Sequence, residues 1–119
     1  MIRRRTYRDN RSKLRHAHSF GGLSMLEIGD GTHPGMRHRY NEDCYSVDVA
    51  AGLCVLVDAM GGPGHGDAAA AQVCDQVLEG MRTGMPLQDA IQDAGKALRE
   101  HTRKHPGPLP IGATLAALR

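Results

Sequence analysis

A continuously apolar run, Leu53-Cys54-Val55-Leu56-Val57, breaks off at Asp58. It gives way to Ala-Met-Gly-Gly-Pro-Gly-His-Gly, and then to Asp67 and four alanines. That order reads as strand, tight turn, helix. The lack of alternation in the run predicts a central strand covered on both faces. Behind the turn, Ala69, Ala70, Val73, Val77 and Met81 recur at i, i+3, i+4 spacing and predict a helix that lays this stripe on a sheet. Gln72, Gln76 and Glu79 then turn to water, and Gly84 ends the helix.

The flanking segments extend the pattern. Cys44 to Val49 alternates, with Tyr45, Val47 and Val49 on one side and Cys44, Ser46 and Asp48 on the other, as a half-buried strand does. Ala50-Ala51-Gly52 suits a hairpin connection into the apolar run. Upstream, Leu23 to Ile28 reads as a first strand closed by the turn Gly29-Asp30-Gly31. Downstream, Pro86 opens a second helix whose stripe is Leu87, Ala90, Ile91, Ala94 and Leu98. Pro106-Gly107-Pro108-Leu109-Pro110 stops it, and Gly112 to Leu118 reads as a last strand. The expected architecture is α/β layered (α+β), with two helices packed on one sheet.

The chain has 119 residues, 40% of them hydrophobic but only 3% aromatic, so a single domain must pack with Ala, Leu, Val, Ile and Met. Its net charge of +2 is unevenly spread: residues 1–20 carry seven basic side chains and one acid, and the remainder is net acidic. Residues 1–22 therefore read as a basic flexible leader and 23–119 as the folded body. The leader is a solvated tail or an arm for an anionic surface. Nucleic acid is expected to be contacted only there, and the absence of interleaved aromatics disfavours a single-strand platform. No run of about 18 apolar residues occurs, so no membrane span is expected. Three cysteines without CxxC spacing point to a reducing, cytoplasmic setting and to small core residues.

Two acidic groups stand out. Glu42 and Asp43 precede one predicted strand and Asp58 ends the next, so a hairpin brings Asp43 and Asp58 to the same sheet edge. Hard divalent cations such as Mg²⁺ or Mn²⁺ favour oxygen ligands of this kind. The plain alternative makes Asp43 a strand-end cap and Asp58 a turn former. The glycine-rich turn lacks Gly-Lys-Ser/Thr, and no Gly-x-Gly-x-x-Gly precedes a suitable acid, which argues against nucleotide sites. His101 and His105 share a helical face, where with Arg103 and Lys104 they place positive charge at a helix C-terminus. His65, in the turn, reads as an exposed loop residue or as a proton donor near the carboxylates.

Gly35, Asn41-Glu42-Asp43, Asp58-Ala59-Met60-Gly61-Gly62 and Gly66-Asp67 follow one another in a recognisable order and spacing. The stretch resembles the N-terminal half of the PP2C (PPM) type of metal-dependent protein serine/threonine phosphatase. That family has Gly-x-x-Arg-x-x-Asn-Glu-Asp, a hairpin, Asp-Gly-Met-Gly-Gly and Gly-Glu opening a long helix. Ile111-Gly112-Ala113-Thr114-Leu115 is similar to the family's Met-Gly-Thr-Thr-Leu strand. The resemblance covers roughly residues 24–119. Two positions depart from it: His38, flanked by Arg37 and Arg39, stands where the family has its phosphate-binding Arg, and Ala59 replaces a Gly. The later motifs Gly-Asp-Ser-Arg, Ser-Asp-Gly and Asp-Asn are absent.

The resemblance implies a partial PP2C-like β-sandwich whose C-terminal part is missing. It implies two Mn²⁺ or Mg²⁺ ions, with Asp58 as bridging carboxylate, the Ala59 carbonyl as a ligand, and Glu42 and Asp43 holding metal-bound waters. It implies that Arg37, His38 or Arg39 binds the phosphate of a phosphoserine or phosphothreonine protein. The expected activity is metal-dependent phosphate monoester hydrolysis, with little or no turnover by this chain alone. The alternative is a catalytically inactive pseudophosphatase fragment that binds a phosphoprotein or another acidic partner.

Overall fold

The computed structural model describes residues 2–5, 16–18 and 26–119, and side chains from Gly29 onward. Among the described residues, six strands and two helices occur in the order β1 (Ile2–Arg5), β2 (His16–His18), β3 (Leu26–Ile28), β4 (Asp43–Asp48), β5 (Leu53–Met60), α1 (Gly66–Arg82), α2 (Leu87–Lys104) and β6 (Gly112–Leu118). The result is a small α+β fold. Its centre is the antiparallel sheet β4-β5-β6, with β1 antiparallel to the outer side of β4. β2 and β3 form a separate antiparallel pair. Of the expected leader, residues 2–5 and 16–18 are thus in strands, and the rest lies outside the described residues. The expected first strand, 23–28, is described over Leu26–Ile28.

Local chemistry explains the boundaries. Asp48 Oδ1 accepts the Ala51 N–H at 3.1 Å, and Gly52, with φ +67°, turns the chain from β4 into β5. α1 ends where Thr83 and Gly84 donate back to Glu79 and Met81, and Gly84 takes φ +86°. Pro86 cannot donate a backbone hydrogen bond and stands immediately before α2. β6 coincides with the segment read from the sequence.

Packing is one-sided, which corrects the expectation for β5. Leu53, Val55, Val57 and Ala59 are buried under α1, whereas Leu56, Asp58 and Met60 are exposed. A continuously apolar strand therefore has one covered face and one open face, because α1 alone lies on the sheet and α2, expected there too, packs on α1 instead. β4 is arranged in an unexpected way: Cys44, Ser46 and Asp48 face the helices. Small side chains suit this face because α1 brings its alanines and Val73, Cys74, Val77, Leu78 and Met81 down onto it. The Ser46 hydroxyl is buried there with no hydrogen-bond partner among the described residues. α2 packs against α1, and of its predicted stripe only Ala90 and Ala94 are fully buried. Leu87 and Leu98 are half-buried and Ile91 is exposed.

The cysteines fit the reading as small packing residues: Cys44 and Cys74 are buried, Cys54 is half-buried, and no disulfide links them. No helix among the described residues is long and apolar enough to cross a membrane.

Candidate functional site

The β4–β5 register sets Asp43 directly opposite Asp58, so the hairpin brings both carboxylates to one end of the sheet. They belong to the open face, since their neighbours Cys44 and Val57 point under α1. Asp58 is exposed and Asp43 half-buried. Partial burial, reinforced by the Asp58 carboxylate beside it and by Glu42, pushes the Asp43 carboxyl above the usual carboxylate range. Two acids sharing an edge resist joint ionisation, and a cation relieves that repulsion.

Each backbone around the pair is anchored. Asn41, itself buried, accepts the Asp43 N–H on its Oδ1 at 3.1 Å and donates from Nδ2 to the Thr32 hydroxyl at 2.6 Å. The Thr114 hydroxyl on β6 donates to the Asp58 carbonyl at 3.4 Å. Asn41 thus has a structural task the motif alone did not reveal: it ties the loop from Thr32 to the start of β4.

The other sequence-selected residues take different positions. Ala59 is an ordinary strand residue, opposite Ala113 in the ladder, and its methyl group is buried beneath α1. The structure accommodates Ala here because its Cβ faces the helix layer. Glu42 does not stand free beside the aspartates: its carbonyl accepts the Ala59 N–H at 3.2 Å and its Oε1 accepts the Gly62 N–H at 2.7 Å. Arg37, His38 and Arg39 are exposed on the loop before β4, and none has a hydrogen bond or ion pair with a described residue. His65 begins the turn into α1 and packs its ring against Gly107, where a Cβ would stand 3.2 Å from the ring. His101 and His105 stack on each other at 4.7 Å on the last turn of α2.

Sequence reading missed two features. The first is the ion pair of Asp48 and Arg82, 2.9 Å apart, which joins the β4–β5 hairpin to the end of α1. The second is a groove of ≈ 390 Å³ on the open face, bounded by Tyr45, Val47, Cys54, Leu56 and Leu118 and by Gly29 to Gly31. Tyr45 donates its hydroxyl to Asp30 at the side of this groove. Burial also pushes the Cys54 thiol up. Neither feature leaves a local mark in the sequence, because each joins segments far apart in the chain.

The raised Asp43 pKa has a defined sign in stability. The folded state holds the Asp43 proton more tightly than the unfolded chain does. That contribution is therefore fully present below the unfolded carboxylate range and is lost as pH rises through the higher folded value. Asp43→Asn, which removes this titration, is expected to raise the metal-free Tm at pH 7. The gain should shrink at pH 3, and thermal melts at both pH values with chelator present check it.

No protein-family model, curated protein or solved structure matches the chain.

Proposed function

We propose that the chain carries the first metal-binding carboxylates of a PP2C-type phosphatase site, acting on phosphoserine or phosphothreonine protein. The observation that carries this reading is the cross-strand pairing of Asp43 and Asp58 at one end of the open face. The resemblance read from Asn41-Glu42-Asp43 and Asp58-Ala59-Met60-Gly61-Gly62 gives the pair its chemical context. Two facing carboxylates, one of them with its pKa raised by burial and by the other's charge, suit one Mg²⁺ or Mn²⁺, ions that bind through one or two carboxylates and retain several waters. When bound, such a cation lowers the pKa of a coordinated water toward neutrality.

The chain's own residues would then divide the work. Asp43 and Asp58 bind and orient the cation. Arg37, His38 and Arg39, exposed and unengaged with described residues, supply positive charge for phosphate oxygens, the arginines with the option of a bidentate grip. The resemblance implies two ions, whereas the pair described here suits one.

The assay is hydrolysis of a phosphoserine peptide by the purified protein with Mn²⁺. Turnover that requires Mn²⁺ and disappears in Asp58→Asn supports the reading. Turnover indifferent to metal or to that substitution contradicts it. The exposure of the three basic loop residues also favours a second reading, a non-catalytic phosphoprotein-binding module. Peptide binding without turnover, lost when Arg37 and Arg39 are both changed to Ala, would select that one.

A further inference from the structure

Glu42 is the point at which the resemblance and the geometry part. The resemblance makes it a holder of metal-bound water, which requires a carboxylate free to face the cation. In the fold its Oε1 accepts the Gly62 N–H at 2.7 Å, and its main-chain carbonyl accepts the Ala59 N–H at 3.2 Å. The carboxylate also lies directly on Gly66, the first residue of α1: a Cβ on Gly66 would stand 1.8 Å from Oε1 and 2.6 Å from Cδ. Gly62, at φ +77°, presents its N–H to Glu42 while its own carbonyl accepts the N–H groups of His65 and Gly66 at 3.0 and 2.9 Å. One residue thus connects the start of β4 to the end of β5 through its main chain, and to the turn and the N-terminus of α1 through its side chain. A negative charge is favoured at that last position.

We infer that Glu42 is a positioning residue. Its carboxylate clamps the turn from Gly62 to Gly66 while its main chain bonds Ala59, next to Asp58, and its Oε1 serves this clamp rather than a metal-bound water. The metal arm of this inference rests on the proposed function; the clamp itself does not. Glu42→Gln keeps an acceptor oxygen at the same reach and loses only the charge. Glu42→Ala removes the acceptor. Gly66→Ala keeps the charge but occupies the space the carboxylate needs, although Ala is the better helix former.

The test measures Gly62 amide exchange by NMR and Mn²⁺ binding by calorimetry on the protein and these three variants. Gly62 exchange is expected to rise by no more than about threefold in Glu42→Gln, whose neutral oxygen is a weaker acceptor. In Glu42→Ala and Gly66→Ala it is expected to accelerate by about tenfold, the loss of one hydrogen bond to a charged group. Mn²⁺ affinity should stay within about twofold in Glu42→Gln, where only a charge–dipole contribution is lost, and fall clearly in the other two. Equal Gly62 protection in all four proteins overturns the clamp. Loss of Mn²⁺ affinity in Glu42→Gln as large as in Glu42→Ala overturns the positioning role and returns Glu42 to ligation. Absence of Mn²⁺ binding to the parent protein counts against the proposed function, and the amide measurement then still decides the clamp. Should Glu42→Ala fail to fold, Glu42→Gln and Gly66→Ala carry the same comparison.

Discussion

Met81→Ala is expected to lower the unfolding free energy by about 3 kcal/mol, within the range for emptying a fully packed Met site. Met81 is 1% exposed and lies in the core cluster between α1 and the sheet. The site has little means of collapsing around a smaller residue. Its neighbours on the sheet side are held by the ladder, and the aromatic-poor composition offers no large ring to swing in. Small domains are stable by only about 5–15 kcal/mol, so the loss is a large share of the total. Tm should fall by roughly 10 °C. Met81→Leu, which nearly conserves volume, should cost less than about 1.5 kcal/mol. Urea unfolding of the three proteins checks this, and equal midpoints would show that the helix layer is not packed as described.

The second large effect is expected at Arg82. This side chain bonds two acids: Asp48 at 2.9 Å, whose side chain is only 7% exposed, and Glu79 at 3.1 Å, which is 64% exposed. Arg82→Ala leaves the Asp48 carboxylate enclosed with the Ala51 N–H as its remaining hydrogen bond among the described residues. Stripping a partner from an enclosed charge costs about 2 kcal/mol or more. Glu79→Ala removes only the solvent-exposed pair and should change stability by less than about 0.5 kcal/mol. The contrast is the informative result. Comparable small losses in both variants would mean that the hairpin and α1 are not joined through Asp48.

Much of the fold was legible because its punctuation is local. Gly84 and Pro86 separate the helices, Gly52 makes the hairpin, and the Pro106–Pro110 run ends α2. Each acts through backbone geometry within a few residues. The covered face of the sheet was less legible. An apolar run signals burial without saying on how many sides, so β5 read as covered on both faces although Leu56 and Met60 are exposed. In β4 the alternation was real, yet the more polar row of Cys44, Ser46 and Asp48 is the one that faces the helices, and Tyr45 on the other row is buried as well. That choice depends on the small-residue surface of α1 and on Arg82, both distant in sequence. α2 shows the same limit: its stripe was read correctly as a pattern, but it packs on α1, leaving Ile91 exposed.

At the candidate site, the meeting of Asp43 and Asp58 followed from hairpin arithmetic. The position of Glu42 did not, because its two contacts depend on the turn that Gly62 makes and on the missing Cβ of Gly66. Residue identity suggested a ligand; three-dimensional context gives it a hydrogen-bonded role in holding the turn.

The most direct measurement is calorimetric titration of the purified protein with Mn²⁺ at pH 7, alongside Asp58→Asn and Asp43→Asn. Saturable binding by the parent is the expected result. Each substitution should weaken it by at least about tenfold, one carboxylate ligand being replaced by a neutral amide. Mn²⁺ at 100 times the parent's Kd should stabilise the parent by about 2.7 kcal/mol and Asp58→Asn by no more than about 1.4 kcal/mol. Binding of equal strength in all three proteins, or none in the parent, would contradict the assignment of the Asp43–Asp58 pair as a cation site.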